Sequence, residues 1–467
     1  MSIRDIVVTL IIVAVLPKAL QHPSVGVVLW TWISVMNPHK LAWGFAADMP
    51  FAAMAAGVTL IGLFVTRDKI VVPKDAVAVV LVIFVAFTAL TTLTAIDRTD
   101  SLVQLNKVFK IQLMTLVAMA VLNDRRYLQA FVWINVLSLG FYGIKGGLFT
   151  LLTGGGERVW GPPGGFIEGN NELALALVMA IPLMNYLRLV SMNRWVRHGL
   201  LVAMLLTAVS ALGTHSRGAL LALAGMAVVL WWRSPRRSLT VVPMVVVGAA
   251  IFSFMPENWL LRMETIASYE QDGSAMGRIH TWWTMFHLAN DRLLGGGFSI
   301  YTVPVFAAYG PPGSLPRAAH SIYFQVLGEH GWIGLALFVS VWILGWRMAG
   351  RIRRRALGAE GEIQSFALLA GMCQVSLVGY AIGGAFLSLA YFDLPYNILV
   401  ILVVANRILS AVLGTDAVSA RRAPPRSFGA RTGTVSSGAR AGSVSSGVGL
   451  LDRRSSISGQ RSTSGGD

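Results

Sequence analysis

Tyr309-Gly-Pro-Pro-Gly-Ser-Leu-Pro-Arg-Ala-Ala-His320-Ser-Ile-Tyr-Phe-Gln325 closes a polar stretch that opens at Pro256, and Gly331-Trp-Ile-Gly-Leu335 follows inside a new apolar run. This junction decides how the chain is read. On either side of Pro256–His320 the sequence is hydrophobic run, short loop, hydrophobic run; only here does it gather five acids, four arginines and two histidines ahead of His320. The apolar runs are long enough to cross the ~30 Å of hydrocarbon in a bilayer. With 55% hydrophobic and 13% charged residues and a mean hydropathy of +0.64, the chain does not have the composition of a soluble domain. The runs lack the strict alternation of a transmembrane barrel. The expected fold is all-α: a polytopic membrane protein of about 12 transmembrane helices with a large periplasmic loop region.

Working outward, the runs lie near 50–66, 75–95, 106–122, 126–150, 168–190, 198–213, 218–232, 239–255, 321–346, 364–390 and 396–412. Basic clusters punctuate them at Arg67/Lys69/Lys74, Arg125/Arg126, Arg188/Arg194/Arg197, Arg233/Arg236/Arg237 and Arg347/Arg351/Arg353/Arg354/Arg355. Two runs separate each cluster from the next, which is the positive-inside pattern of cytoplasmic loops. Segments Asn37–Pro50, Ala95–Asn106, Gly154–Gly169, Gly213–Gly218, Pro256–His320 and Tyr391–Pro395 then fall on the opposite face. Residues 1–36 hold two short apolar pieces that make either one broken crossing or two; one net crossing, with both chain ends cytoplasmic, fits the total of about twelve.

The net charge of +16 follows from these loop arginines and implies membrane lipids as partners, not nucleic acid. One cysteine, Cys373, lies in an apolar run, so no intramolecular disulfide staples the polar stretch. Residues 1–412 are expected to form a transmembrane domain including the loop 256–320. Residues 413–467, rich in Ser, Gly, Ala and Arg, read as a disordered basic cytoplasmic tail.

For chemistry, the metal motifs are missing. His280 and His287 are seven apart, roughly 10 Å on a helix, too far to share one ion; beside Trp282, Trp283 and Phe286 they read as polar tips of an interfacial amphipathic helix. No metal and no cofactor is expected. Gly295-Gly-Gly297 precedes no Lys-Ser/Thr helix and reads as a flexible turn. Arginines remain: Arg217 in Gly213-Thr-His-Ser-Arg-Gly218, Arg278 after Gly277, and Arg158 in the Gly/Pro-shaped loop leading to Asn170-Asn171-Glu172. Several guanidinium groups at helix mouths on one face suit a large anion, because their forks hold phosphate oxygens bidentately at any pH. His320, expected in the first turn of a helix, would be held neutral by the helix N-terminus and free to act as a base near pH 7.

Three stretches, Thr214-His-Ser-Arg-Gly-Ala-Leu-Leu221, Gly277-Arg-Ile-His-Thr-Trp282 ending in Leu294-Gly-Gly-Gly-Phe298, and His320 to Leu335, resemble successive motifs of the O-antigen ligase/polymerase superfamily. The resemblance spans Glu157 to Leu335, and its third motif is the most specific. Met36-Asn-Pro-His-Lys-Leu-Ala-Trp-Gly-Phe45 is similar to a subgroup described as exosortase-associated O-glycosylation ligases. The resemblance implies transfer of a glycan from undecaprenyl pyrophosphate to lipid A–core oligosaccharide at the periplasmic face of the bacterial inner membrane. It implies His320 as general base and Arg217 and Arg278 as pyrophosphate binders, with Arg158 and Asn170 as weaker candidates for substrate binding. A metal-independent inverting displacement is the expected step. A retaining route would need a carboxylate nucleophile, for which Glu257, Glu264, Glu270, Asp272 and Asp291 are available. Protein O-oligosaccharyltransferase and O-antigen polymerase remain as alternative activities. A transporter is the alternative from another class; it would call for internal repeats and midplane charges, of which only Lys107, Lys110 and Lys145 are candidates.

Overall fold

The computed structural model describes residues 3–233, 273–359 and 361–422. The run 239–255, the opening of the polar stretch with Glu257, Glu264, Glu270 and Asp272, and the tail from 423 lie outside the described residues. The chain divides into two units, Met1–Ala417 and Val418–Asp467, and the apolar spans belong to the first.

The described residues form α1 (Ile3–Gln21), α2 (Pro23–Met36), α3 (Phe51–Val65), α4 (Ala76–Leu93), α5 (Arg98–Val121), α6 (Arg125–Leu152), α7 (Asn170–Val190), α8 (Arg194–Gly213), α9 (Arg217–Arg233), α10 (Gly273–Asp291), α11 (Val303–Tyr309), α12 (Ile322–Ala356), α13 (Glu362–Gly383) and α14 (Asp393–Arg422). The protein is an all-α polytopic membrane protein. Among the described residues eight helices are long and apolar enough to cross a bilayer, and α2 and α3 are shorter apolar helices. Polar caps set several starts: the Asp97 side chain accepts from Asp100 N–H, Asp124 from Arg126 N–H, and Asn193 from Trp195 N–H. In the middle, α7 is buried along almost its whole length from Leu173 to Leu187 and packs on α8, α13 and α9. Peripheral helices keep large apolar side chains such as Leu10, Phe64 and Leu205 exposed, the surface a bilayer would cover.

The basic loops meet at one end of the bundle. Arg125 pairs with Glu362, Arg407 donates to Leu122 O (2.9 Å) and Val71 O (3.3 Å), and Arg355 donates to Ser410 Oγ (2.9 Å). Loops assigned by charge to the other face meet at the other end. Asn170 Nδ2 donates to Thr214 O (2.8 Å), Ile96 N–H to Gly296 O (2.8 Å), and His320 N–H to Ser388 Oγ (2.8 Å). The arrangement of Lys and Arg along the chain thus sorts the loops as their contacts do.

Residues 3–36 correct the favoured topology. α1 and α2 are separate helices joined at His22, and they pack side by side. Asp5, at the start of α1, accepts from Gly44 N–H (3.2 Å) and Ala46 N–H (3.1 Å), beyond the end of α2. The pair is therefore an antiparallel hairpin. It places the chain start with the 37–48 segment, at the end of the bundle away from the basic loops, and not with the basic clusters as expected. Pro23 supplies the physical reason, since it disfavours helical geometry at His22 and starts the next helix at its first position. At the other terminus α14 runs past residue 412, the expected boundary, to Arg422.

The run 321–346 is not one straight helix. Within α12, Gly331 has φ +66° and ψ −171°, a conformation open essentially only to glycine. Breaking the ladder there frees the carbonyls of Gly328 and Glu329, and burial makes an unpaired carbonyl costly. Gly295-Gly-Gly297 supplies the missing donors: Gly296 N–H reaches Gly328 O (2.9 Å) and Gly297 N–H reaches Glu329 O (2.8 Å). Gly295, at φ +68°, lies so close to the break that a Cβ would collide with His330 N and Gly331 N. The triple glycine, expected to be a flexible turn, is a fixed splint.

Candidate functional site

At the end of the bundle away from the basic loops, the α8–α9 turn is shaped by its own hydroxyls. Thr214 Oγ1 donates to Ala211 O (2.6 Å), and Ser216 Oγ accepts from Ala219 N–H (3.3 Å), capping α9 so that Arg217 is its first residue. Asn170 opens α7; its amide is committed to Thr214 O, so it ties α7 to this turn. His215, at φ +57°, accommodates the reversal and reaches Gly155 O through Nε2 (2.9 Å).

Gly218, beside Arg217, lies against Phe386, where a Cβ would be 3.3 Å from that residue's Cβ. The same 384–388 segment supplies Ser388, which accepts from His320 N–H, and Gly384, which packs on Ile322. One short segment therefore buttresses both the Arg217 turn and the His320 turn.

His320 does not sit in the first turn of α12, as expected from sequence. It precedes the N-cap Ser321 with φ +43°, in the left-handed region. Strained backbone of this kind costs of order 1–3 kcal/mol and persists where surroundings over-determine it. The surroundings are visible: Ser388 holds the His320 amide, and Trp282 Nε1 donates to Ala319 O (2.7 Å). Trp282 also stacks on Phe324, with 5.1 Å between centroids and 6° between planes. These contacts bind α10 to the segment that carries the histidine. The imidazole is half-buried, and among the described residues its Nδ1 has no hydrogen-bond partner. Burial, and after it the positive charges of Arg278 and Arg317, hold its proton affinity below the ordinary histidine value.

Arg278, in the first turns of α10, is the hub. Its charge is felt at His320 and also at Glu172, in the first turn of α7. The Glu172 carboxyl folds back over Gly169 and leaves no room for a side chain there. Arg317 crosses Gly277 just as closely, and its Nη1 donates to Gly273 O (3.2 Å). Sequence reasoning alone does not single out Glu172 or Arg317 as members of the site. Their signal is faint: an acid three residues after a glycine N-cap, and an arginine three before His320. Arg158 is exposed, and among the described residues no hydrogen bond or ion pair joins it to this set. Its neighbour Val159 donates to Gly213 O (3.0 Å), so it borders the Arg217 turn.

Beside Arg278, Ile279, Trp282, Trp283, Phe286 and Phe324 line an apolar groove of about 260 Å³. His280 and His287 lie on the same amphipathic helix, and His287 Nδ1 contacts Tyr309 O (3.1 Å). Among the described residues no three His, Cys, Asp or Glu side chains gather as a metal site would require.

Below His320, at the α12 break, a buried polar chain runs inward. Tyr391 O–H donates to Glu329 Oε2 (2.6 Å), His330 Nε2 lies 2.9 Å from the Tyr391 hydroxyl, and His330 Nδ1 lies 2.6 Å from Thr91 Oγ1. Phe84 and Phe298 meet the His330 ring edge-on. These groups satisfy one another and fix the outer part of α12 at its base.

Residues 201–339 match the family model described as O-Antigen ligase. The chain carries an O-antigen ligase domain. The ligase match includes Arg217, Arg278, Arg317 and His320, and ends just past the broken segment of α12. Residues 3–192 match a different model, a family of unknown function (DUF5935), which holds Arg158, Asn170 and Glu172. The ligase match thus starts later than the Glu157–Leu335 resemblance, and residues 157–192 lie within the second match. No curated protein matches the chain. Ligase-domain proteins are glycosyltransferase-like ligases or polymerases acting on lipid-linked glycans, so the chain is a membrane enzyme of O-antigen ligase/polymerase type. The Met36–Phe45 motif of the N-terminal family touches the 161–169 loop, where Asn37 packs on Gly165 and Lys40 on Gly164. Both families therefore contribute to this end of the bundle.

Proposed function

We propose that the protein is an O-antigen ligase, transferring a glycan from undecaprenyl pyrophosphate to lipid A–core oligosaccharide on the periplasmic side of the bacterial inner membrane. The observation that carries this is Arg278, whose charge reaches both the His320 imidazole and Glu172, at the end of the bundle away from the basic loops. In this reading the guanidinium groups of Arg217 and Arg278 hold the pyrophosphate and neutralise the charge that builds on it as it leaves. The acceptor hydroxyl attacks the anomeric carbon from the opposite side. Its proton passes to the His320 imidazole, the new glycosidic bond forms, and the bond to pyrophosphate breaks in one inverting step that needs no metal. The aromatic groove along α10 takes the first isoprene units of the donor.

An assay offering purified protein a lipid-linked glycan donor and three acceptors tests the reaction. Lipid A–core, a second lipid-linked glycan and a pilin-like protein distinguish ligase, polymerase and protein O-oligosaccharyltransferase. Transfer to lipid A–core is the expected result, and transfer only to one of the others reassigns the acceptor. The likeness of Met36–Phe45 to O-glycosylation ligases is the observation that keeps the protein acceptor in the comparison.

The pH profile tests the electrostatics. His320 must be neutral to accept a proton, so activity falls as pH drops through its pKa. With that pKa depressed, the acid limb of the wild-type profile lies below the ordinary histidine value of about 6.5. Arg317→Gln removes one of the charges depressing it, so the limb should move to higher pH. An unmoved limb in a folded variant would show that Arg317 does not act on the base.

A further inference from the structure

The end of the bundle opposite His320 contains a second arginine pair. Arg233 closes the helix that Arg217 opens, roughly 24 Å away along the axis. Together with Arg353 it borders a groove of about 430 Å³ between α9, α12 and α13, whose remaining wall includes Leu230, Leu357, Leu368 and Met372. No acidic residue is present among the described lining residues. Among the described residues, Arg353 Nη1 makes one hydrogen bond, a long one to Gln374 Oε1 (3.4 Å). The Arg233 guanidinium lies over the Trp346 ring, 5.3 Å from its centroid, yet among the described residues its buried Nη1 has no hydrogen-bond partner. A neighbouring cavity of about 610 Å³ shows the contrast: there Arg125 is neutralised by Glu362 and His22 contacts Asp68.

Two like charges held on one groove repel each other, and an unpaired buried guanidinium N–H forfeits a strong hydrogen bond. An anion between them removes both penalties. The groove floor is apolar, and the arginines lie in the last turns of two apolar helices. This combination of two guanidinium forks above an apolar trough matches a phosphate diester attached to acyl chains. A soluble anion would use the forks and leave the trough empty. We infer that Arg233 and Arg353 form a site for the phosphate of an anionic phospholipid, with an acyl chain lying along Leu230, Leu368 and Met372. This site is independent of the proposed glycan chemistry.

The test is thermal unfolding of the detergent-purified full chain titrated with dioleoyl phosphatidylglycerol, dioleoyl phosphatidylcholine or inorganic phosphate, alongside native mass spectrometry of retained lipid. Phosphatidylglycerol should raise the midpoint of the wild-type protein more than phosphatidylcholine does. In the Arg233→Gln/Arg353→Gln variant the half-saturating concentration should rise about tenfold or more for each arginine lost. Equal stabilisation of wild type and variant by phosphatidylglycerol overturns the assignment, as does equal stabilisation of wild type by the two lipids. Inorganic phosphate matching phosphatidylglycerol overturns the lipid reading in favour of a free-anion site. Should the double variant fail to fold, Arg353→Gln alone carries the comparison, and the wild-type lipid preference is required in either case.

Discussion

Replacing His320 with Asn should lower the rate of glycan transfer by about 10²–10⁴-fold, the usual contribution of a positioned general base, with the fold and donor binding retained. Asparagine is the informative substitution because of the backbone. At φ +43° a β-carbon is strained, but Asn tolerates the left-handed region better than most residues. His320→Ala removes the base and also disturbs that geometry; Asn keeps the geometry and removes only the base. If strain rather than proton transfer were at issue, the Asn variant would be active and the Ala variant impaired. Large losses in both are expected, with thermal unfolding unchanged in the Asn variant. Full activity in His320→Asn would falsify the base assignment.

The second large effect is expected at Arg278. Arg278→Ala should cost about 10²–10³-fold in kcat, the typical loss on removing one donor that stabilises developing charge. Because this arginine also depresses the His320 pKa, its removal should move the acid limb of the pH profile upward as well. Arg278→Lys separates the two roles. The charge is kept, so the limb should stay near its wild-type position. The planar fork is lost, so bidentate contact with phosphate oxygens is lost and most of the rate with it. A lysine variant with wild-type kcat would show that charge alone suffices at this position. Arg278→Ala with normal kcat would remove Arg278 from the pyrophosphate site.

Some of this architecture is legible in the sequence, and the rest is hidden for identifiable reasons. Fold class follows from uninterrupted apolar runs, because a bilayer forces each one into a helix. The spacing of Lys and Arg sorts the loops into two sets, and the Arg125–Glu362 and Asn170–Thr214 contacts fall within those same sets. His320, Arg217 and Arg278 stand out because they are polar residues at the mouths of apolar runs. The α12 break does not, since Gly331 in an apolar run looks like any glycine of a membrane helix until its φ is known. Nor does its splint: the role of Gly295–Gly297 is defined by a partner segment thirty-odd residues on in the chain, and hydrophobic periodicity carries no information about pairing. The hairpin at residues 3–36 is one of two readings allowed by length, and the Asp5 contacts to Gly44 and Ala46 distinguish them. Arg317 is invisible for another reason. Its importance comes from lying across Gly277, a close approach that only the folded chain creates.

The splint also bears on how rigidly the two halves of the site are joined. Gly296 and Gly297 follow the helix bearing Arg278, and the hydrogen bonds they make end on the short upper arm of α12, just beyond His320. Trp282 fastens the same two pieces a second time. The helix bearing Arg278 and the turn bearing His320 are thus held to one another by two separate sets of contacts, one at either end of the upper arm. A double tie of this kind fixes the distance between the two side chains in advance of any ligand.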